Sequence, residues 1–335
     1  MLPDLNNQTE WQMLLDGAFD ERLAGFYFSQ LRQLGVEMPP VFAHSLKHQY
    51  LHQWQHNERL LREIGRISSQ LNAANIRHLF YKGPLFAQQI YPHLGCRDTS
   101  DIDLMLTDPA DVSVTEQALA ELGYTRQSYR ILPLAITQRA VYEFEYQHPD
   151  FDLDVHWSLQ KHPSLKLEIA KAWETRRSVD VVGETVQTFS AEYTLLAYAL
   201  SLSPDISNNA LKLRYFLEIA LLLRQMQSQT DWERFWQQRT QENTVTVTYV
   251  LIAATTKLFD DALGRGLPPS PTAKMLNAVD DVIACLMQTT TEKKRKMVAF
   301  SLFDSSLLVS AVWWLGTLAV RAVNHPEVTN RRLNG

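Results

Sequence analysis

The sequence predicts an α/β (α+β) fold in which a small mixed β-sheet is flanked by helical regions on both sides. Apolar residues recur at helical spacing over residues 1–74 and again over 191–335. Between them, residues 75–190 contain short segments in which apolar and polar residues alternate with the period of two that strands show. A chain of 335 residues is long enough for three such regions, so we take these bounds as the domain organisation.

Composition narrows the classes of function. The chain is 45% hydrophobic and 21% charged, which is typical of a folded globular protein, and its net charge of −5 does not favour a general nucleic-acid binder. The two cysteines, Cys96 and Cys285, are far apart and do not form a disulfide framework. Because the first residues also lack the pattern of a signal peptide, we expect a cytoplasmic protein.

The N-terminal region contains a histidine stripe. A helix is predicted to begin at Pro39-Pro40 and to continue to about Ala74, alone or as two closely joined helices. Four histidines follow one another along it in steps of four residues: His44, His48, His52 and His56. Each step turns the stripe by about 40° around a helix of 3.6 residues per turn, so the four cannot share one ion. A solvated surface stripe is therefore favoured over a metal site.

A strand, a glycine turn and a helix follow one another at Ile76–Ile90. The strand ends at Lys82-Gly83, and Pro84 suits the first position of a helix. Backbone N–H groups at such a turn can bind phosphate, and Lys82 adds a positive charge. Taken alone, the same pattern is a common structural turn.

Two acidic strands carry the clearest chemical signal. In Ser100–Leu106, Asp101 and Asp103 alternate with apolar residues and are predicted to point to one side. Two carboxylates this close repel each other unless a cation lies between them, and Mg²⁺ is the simplest ion for such a pair.

The second acidic strand, Phe151–Trp157, repeats the alternation with Asp152, Asp154 and His156 on its polar face. Carboxylates from two adjacent strands would form a cradle for two metal ions, of the kind used in phosphoryl chemistry.

These segments together resemble a known family. They are Tyr81-Lys82-Gly83, Arg97-Asp98-Thr99-Ser100-Asp101-Ile102-Asp103-Leu104 and Asp154-Val155-His156-Trp157, with a weaker match at Leu211–Ile219. The pattern resembles the bacterial uncharacterised nucleotidyltransferase family of the polymerase-beta-like nucleotidyltransferase superfamily, over about residues 55–160. Many members of the wider superfamily have Gly-Gly or Gly-Ser where this chain has Lys82-Gly83.

The resemblance implies a nucleotidyltransferase core and a Mg²⁺-dependent transferase that moves a nucleoside monophosphate from an NTP, with ATP among the candidates, to a hydroxyl acceptor. It implies that two Mg²⁺ ions, or Mn²⁺ in their place, are held by Asp101, Asp103 and Asp154. The phosphates and nucleotide would contact Lys82, Gly83, Arg97, Ser100 and Arg214. The residues expected around the metal ligands are His156 and Asp152.

Other functions remain open at this level. One is a non-catalytic nucleotide-binding or scaffold relative, which the intact aspartates disfavour. Another is a toxin-like enzyme that modifies tRNA or protein, and a third is a small-molecule hydrolase that uses the same carboxylates without an NTP. The acidity of the chain favours a small molecule or a protein over a nucleic acid as the acceptor.

Two segments of the C-terminal region have alternative interpretations. On the helix at Leu211–Met226, Arg214 either faces the catalytic cleft or forms an exposed ion pair with Glu218, four residues later. The apolar segment 307–320 is too short to span a bilayer, so we expect no membrane span. A buried core helix is favoured there over an interface helix or a membrane-associated one.

Overall fold

The computed structural model describes residues 7–127, 134, 137–138, 141–160, 162, 164–208, 210–268 and 270–287. The apolar segment 307–320 lies outside these residues. Within them, no helix is both long enough and apolar enough to cross a membrane.

The described residues form one sheet of seven strands, and it is mixed, as the sequence predicts. The strands are β1 (His78–Tyr81), β2 (Ile102–Leu106), β3 (Thr125–Arg126), β4 (Glu143–Gln147), β5 (Asp152–His156), β6 (Arg177–Val181) and β7 (Glu184–Thr188). Their order is β3-β4-β5-β2-β1-β7-β6. The two acidic strands β2 and β5 are parallel neighbours, and β1 and β4 flank them in antiparallel pairing.

Helices precede and follow the sheet. Those described are α1 (Gln8–Asp20), α2 (Ala24–Gln33), α3 (Pro40–Ala73), α4 (Gly83–Gln89), α5 (Val112–Glu121), α6 (Ile169–Glu174), α7 (Ala191–Ser207), α8 (Leu213–Met226), α9 (Trp232–Gln241), α10 (Val245–Phe259) and α11 (Ala273–Leu286). Short 3-10 helices lie at Leu94–Cys96, Pro109–Asp111 and Asp261–Gly266.

The predicted helix after Pro39-Pro40 is a single helix of 34 residues, α3. Its first half carries the histidine stripe, in which His44, His48 and His52 are exposed and His56 is half-buried. Among the described residues, no group of three potential metal ligands includes these histidines. Three of the four histidines are therefore solvated, as a surface stripe predicts.

Strand β2 shows how the alternating pattern positions the site. Ile102, Leu104 and Leu106 are buried in the core that α3 and α5 form on one face of the sheet. Met105 packs on the other face with residues of α7 and α8, and Asp103 lies on that same face. Because side chains alternate along a strand, the apolar residues that anchor β2 also fix the direction in which Asp103 points.

A buried ion pair joins the C-terminal helices to the loop before β2. Arg97 Nε lies 2.7 Å from Glu218 Oε1 of α8, and the exposed fractions of the two side chains are 7% and 0%. The Tyr91 and Tyr198 hydroxyls also donate to Glu218. Burial would raise the pKa of Glu218, but the charges of Arg97 and Arg214 outweigh it, and the pKa lies below its usual value.

The buried pair gives a stability prediction. Glu218→Gln should lower the free energy of unfolding by about 3 kcal/mol, because it leaves the Arg97 charge buried and uncompensated. The matched control is Glu58→Gln, which breaks an exposed pair with Arg62 on α3 and should cost at most about 0.5 kcal/mol. Urea unfolding of both variants measures the difference, and equal losses would contradict the prediction.

Candidate active site

A cavity of about 300 Å³ lies between the sheet and the C-terminal helices. The sheet side is formed by β1, β2, β4 and β5 and by the loop before β2. The opposite side is formed by α7 and α8, and Arg22, from the turn between α1 and α2, completes the wall. All three regions predicted from the sequence therefore contribute to one cavity.

The turn after β1 has a strained backbone at Lys82 and Gly83. Lys82 adopts φ 55° and ψ −144°, a conformation that side chains other than glycine rarely take. Gly83 has φ +46°, and a Cβ atom there would lie 2.9 Å from the Asp101 carbonyl oxygen, so only glycine fits. This backbone directs the Lys82 side chain into the cavity, where its Nζ is 3.9 Å from Asp103 Oδ1.

The carboxylates meet through strand register. Asp103 on β2 pairs directly with Asp154 on β5, and both line the cavity. Asp101 lines it from just before β2, and its Oδ1 accepts a hydrogen bond from the Ser100 hydroxyl at 3.0 Å. Asp152, at the start of β5, is exposed and is not part of the cavity wall.

His156 is held by carboxylates on both ring nitrogens. Its Nε2 lies 3.2 Å from Asp103 Oδ1 and its Nδ1 lies 3.1 Å from Glu143 Oε2. Burial lowers the pKa of His156, but these hydrogen bonds outweigh it and raise the pKa to about 10. Held in this way on both nitrogens, the ring orients Asp103 and Glu143.

Glu143 was not predicted as a site residue. The available signal was the alternation of β4, because antiparallel pairing places Glu143 opposite His156. Asp205 and Tyr198 were missed for another reason. They come from helix α7, and helical spacing alone does not show that these residues face the carboxylates.

The donor set fits a hard divalent cation. Asp103, Asp154 and His156 each offer one atom within 4.8 Å of the others, and Asp101 lines the same cavity. Burial, with Asp103, Asp101 and Glu143 as like-charged neighbours, raises the pKa of Asp154 to about 8 although His156 opposes it. Such crowding of carboxylates is what a bound cation relieves. Because both His156 nitrogens are engaged, the carboxylates are the available ligands.

Arg97 and Arg214 are both buried, although arginine side chains are usually exposed. All five N–H groups of Arg97 face protein acceptors: Glu218, the Gly83 carbonyl, the Thr99 hydroxyl and the Tyr198 hydroxyl. Arg97 lines the cavity, yet in this conformation its donors hold the protein together.

Arg214 is 6% exposed and lines the cavity, and Glu218 is fully buried. The alternative of an exposed Arg214–Glu218 surface pair is therefore wrong. The two residues share a helical face, but α8 packs that face against the loop before β2 rather than leaving it in solvent.

A family model matches most of the chain. The model described as an uncharacterised nucleotidyltransferase matches residues 7–260. The chain belongs to this nucleotidyltransferase family. The match confirms the resemblance seen in the motifs and extends it from about residues 55–160 to the helices on both sides.

Three solved structures resemble part of this chain at low sequence identity. An antigenic nucleotidyltransferase-like protein from Paracoccidioides brasiliensis is 15% identical, with 62% of this chain and 93% of that chain covered and a TM-score of 0.42. ANT(2")-Ia in complex with adenylyl-2"-tobramycin is 16% identical, with 60% of this chain and 99% of that chain covered and a TM-score of 0.38. The solution structure of the antibiotic-resistance factor ANT(2'')-Ia is 16% identical, with 61% of this chain and 95% of that chain covered and a TM-score of 0.37. No curated protein sequence matches the chain.

The two aspartates of β5 should differ in metal binding. Mn²⁺ should raise the melting temperature of the wild-type protein, and Asp154→Asn should remove most of that rise because Asp154 lines the cavity. Asp152→Asn is the matched control on the same strand and should retain it, since Asp152 is exposed. A thermal-shift titration of the three proteins decides the assignment, which fails if Asp152→Asn shows the larger loss.

Proposed function

We propose that this protein transfers a nucleoside monophosphate from an NTP to a hydroxyl acceptor and releases pyrophosphate. The observation that supports this most directly is the juxtaposition of Asp103, Asp154 and Asp101 with the Lys82-Gly83 turn in one cavity. Family membership supports a transferase, while the cavity supports this particular chemistry.

The three aspartates would hold two Mg²⁺ ions, and Mn²⁺ is an alternative. When bound, such ions stabilise the entering and leaving oxygens of an in-line displacement. Asp154 also faces the space in which an acceptor hydroxyl would lie and helps to remove its proton. His156, held between Asp103 and Glu143, orients Asp103.

Nucleotide binding is assigned to the cationic side of the cavity. Lys82, the backbone of Gly83 and Arg214 would contact phosphates, and Ser100 orients Asp101 through its hydroxyl. We revise the proposed role of Arg97 from phosphate binding to positioning. Its hydrogen bonds to Gly83 O and Glu218 fix the turn and α8 relative to each other.

The acceptor is proposed to be a small molecule or a protein rather than a nucleic acid. The carboxylates Asp101, Glu143, Asp154 and Asp205 all line the cavity. A polyanionic acceptor would have to approach these carboxylates and the bound NTP, which costs electrostatic free energy, whereas a neutral or cationic acceptor would not.

The metal-binding pair tests the reaction. Wild-type protein should show a melting-temperature rise with Mg²⁺ plus at least one of the four NTPs, and should release pyrophosphate when its acceptor is supplied. Asp101→Asn combined with Asp103→Asn should abolish transfer while leaving the secondary structure intact. Loss of the Asp101 charge relieves repulsion, but loss of the Asp103 charge removes a partner of Lys82 and of buried His156, so we also expect a lower melting temperature. Pyrophosphate release and circular dichroism measure the two effects.

Near-normal transfer by this double variant would contradict the site assignment. Nucleotide binding by the wild type without transfer to any acceptor would favour the non-catalytic relative instead. Metal-dependent hydrolysis that needs no NTP would favour the hydrolase.

Arg214 gives a separate kinetic prediction. Arg214→Ala should lower kcat/KM for the NTP or the acceptor about tenfold, which corresponds to about 1.4 kcal/mol of transition-state binding. Arg224→Ala, an exposed arginine on the same helix α8, is the matched control and should change kcat/KM less than twofold. Unchanged turnover in Arg214→Ala, with only a loss of thermal stability, would make Arg214 a structural residue.

A further inference from the structure

The turn between α1 and α2 brings a second arginine to the cavity, and its backbone is unusual. Arg22 has φ 57° and occupies the first position after the cap of α1. Two hydrogen bonds close the helix end there, from Arg22 N to Phe19 O and from Leu23 N to Ala18 O. This left-handed position normally takes glycine, or sometimes asparagine.

Other helix ends in the described residues follow that preference. The equivalent left-handed positions after α2, α3, α5 and α9 are occupied by Gly35, Asn75, Gly123 and Asn243. Arginine stands alone among these five ends although it is the least suited to the conformation. Backbone preference therefore does not account for arginine at this position, whereas a role for its side chain would.

Arg22 and Arg214 converge on one residue. Arg22 Nη2 lies 2.7 Å from Asp98 Oδ1, and Arg214 Nη1 donates to the Asp98 carbonyl oxygen at 2.7 Å. Both arginines line the cavity. Glu21, next to Arg22, accepts a hydrogen bond from Leu213 N at the start of α8, and this fixes the α1–α2 turn against the helix that carries Arg214.

Each arginine retains capacity for a ligand. Arg214 is 6% exposed, and its buried Nε has no hydrogen-bond partner. Arg22 is about one-third exposed and uses one terminal nitrogen on Asp98. Asp98 contacts both arginines, and the charges of Glu218 and Asp205 also act on Arg214, so the two guanidinium groups line the cavity as partly balanced cations. Two guanidinium forks match the oxygens of a phosphate chain.

We propose that Arg22 and Arg214 form a subsite for a phosphate chain. In the reaction proposed above, on which this assignment of the ligand rests, the subsite holds the two phosphates that leave as pyrophosphate. The N-terminal helical region would then contribute to substrate binding through Arg22, in addition to its packing against the loop before β2.

The probe is inorganic pyrophosphate with Mg²⁺, and its affinity for the full-length chain is measured by calorimetry. Arg22→Gln keeps an N–H donor for Asp98 but removes the charge, and it should weaken pyrophosphate binding about tenfold. Arg32→Gln is the matched control, because Arg32 is an exposed cation on α2 outside the cavity, and it should change binding less than twofold. Equal losses in the two variants, or no measurable binding by the wild type, would overturn the subsite.

A third variant separates binding from loop positioning. Asp98→Asn removes the carboxylate that competes for Arg22 and leaves both arginines in place, so pyrophosphate should bind as tightly as before or more tightly. A loss as large as that of Arg22→Gln would show that Arg22 only holds the loop, and would overturn the proposal.

Competition identifies the source of the phosphates. If pyrophosphate competes with the NTP, the subsite holds the nucleotide's phosphates, and if the two bind together, it holds a phosphate group of the acceptor. Arg22-dependent pyrophosphate binding in a protein that shows no transfer would support the subsite while contradicting the proposed function. Transfer that is unaffected by Arg22→Gln would support the proposed function while contradicting the subsite.

Discussion

The buried ion pair between Arg97 and Glu218 is the contact on which the geometry of the cavity depends. One guanidinium links α8, α7 through Tyr198, the Gly83 carbonyl and the Thr99 hydroxyl. From the other side, Asn57 of α3 donates to the carbonyl oxygens of Leu94 and Arg97 and holds the same loop. A buried ion pair tolerates little displacement, because each hydrogen bond that breaks leaves a buried polar or charged group without a partner and without water. The loop, the Lys82 turn and the helical wall are therefore held in one arrangement.

Around this fixed frame, most of the cavity's carboxylates and most of its cations come from different elements, although Asp98 and Asp205 lie on the side of the cations. The sheet supplies carboxylates from β2, β4 and β5, with His156 between Asp103 and Glu143. Turns and α8 supply the cations Lys82, Arg22 and Arg214. A metal–triphosphate complex carries the complementary arrangement, because its cations need carboxylates and its phosphates need guanidinium or ammonium groups.

Backbone strain accompanies two of these cations. Lys82 and Arg22 both have positive φ, and both side chains line the cavity. Placing a residue other than glycine in such a conformation costs about 1 to 3 kcal/mol. Contacts hold both turns in place: Lys82 pairs with Asp103, and Glu21 fixes the α1–α2 turn to α8. Stability is thus given up at the positions where the proposed phosphate contacts lie.

The sequence by itself determined the sheet with helices on both sides and the two acidic strands. It predicted helix after Pro39-Pro40, but only the structure decided that this is one helix and not two. Period-two alternation is a local property, so it fixed the face on which Asp103 and Asp154 lie. Only the tertiary structure decided that Asp154 enters the cavity while Asp152 stays exposed, that Glu143 pairs with His156, and that Arg97 is saturated by protein acceptors. It also brought Arg22 beside Arg214, from residues 192 positions apart in the chain. Strand neighbours and helix packing join residues distant in sequence, and no local period encodes which of them will meet.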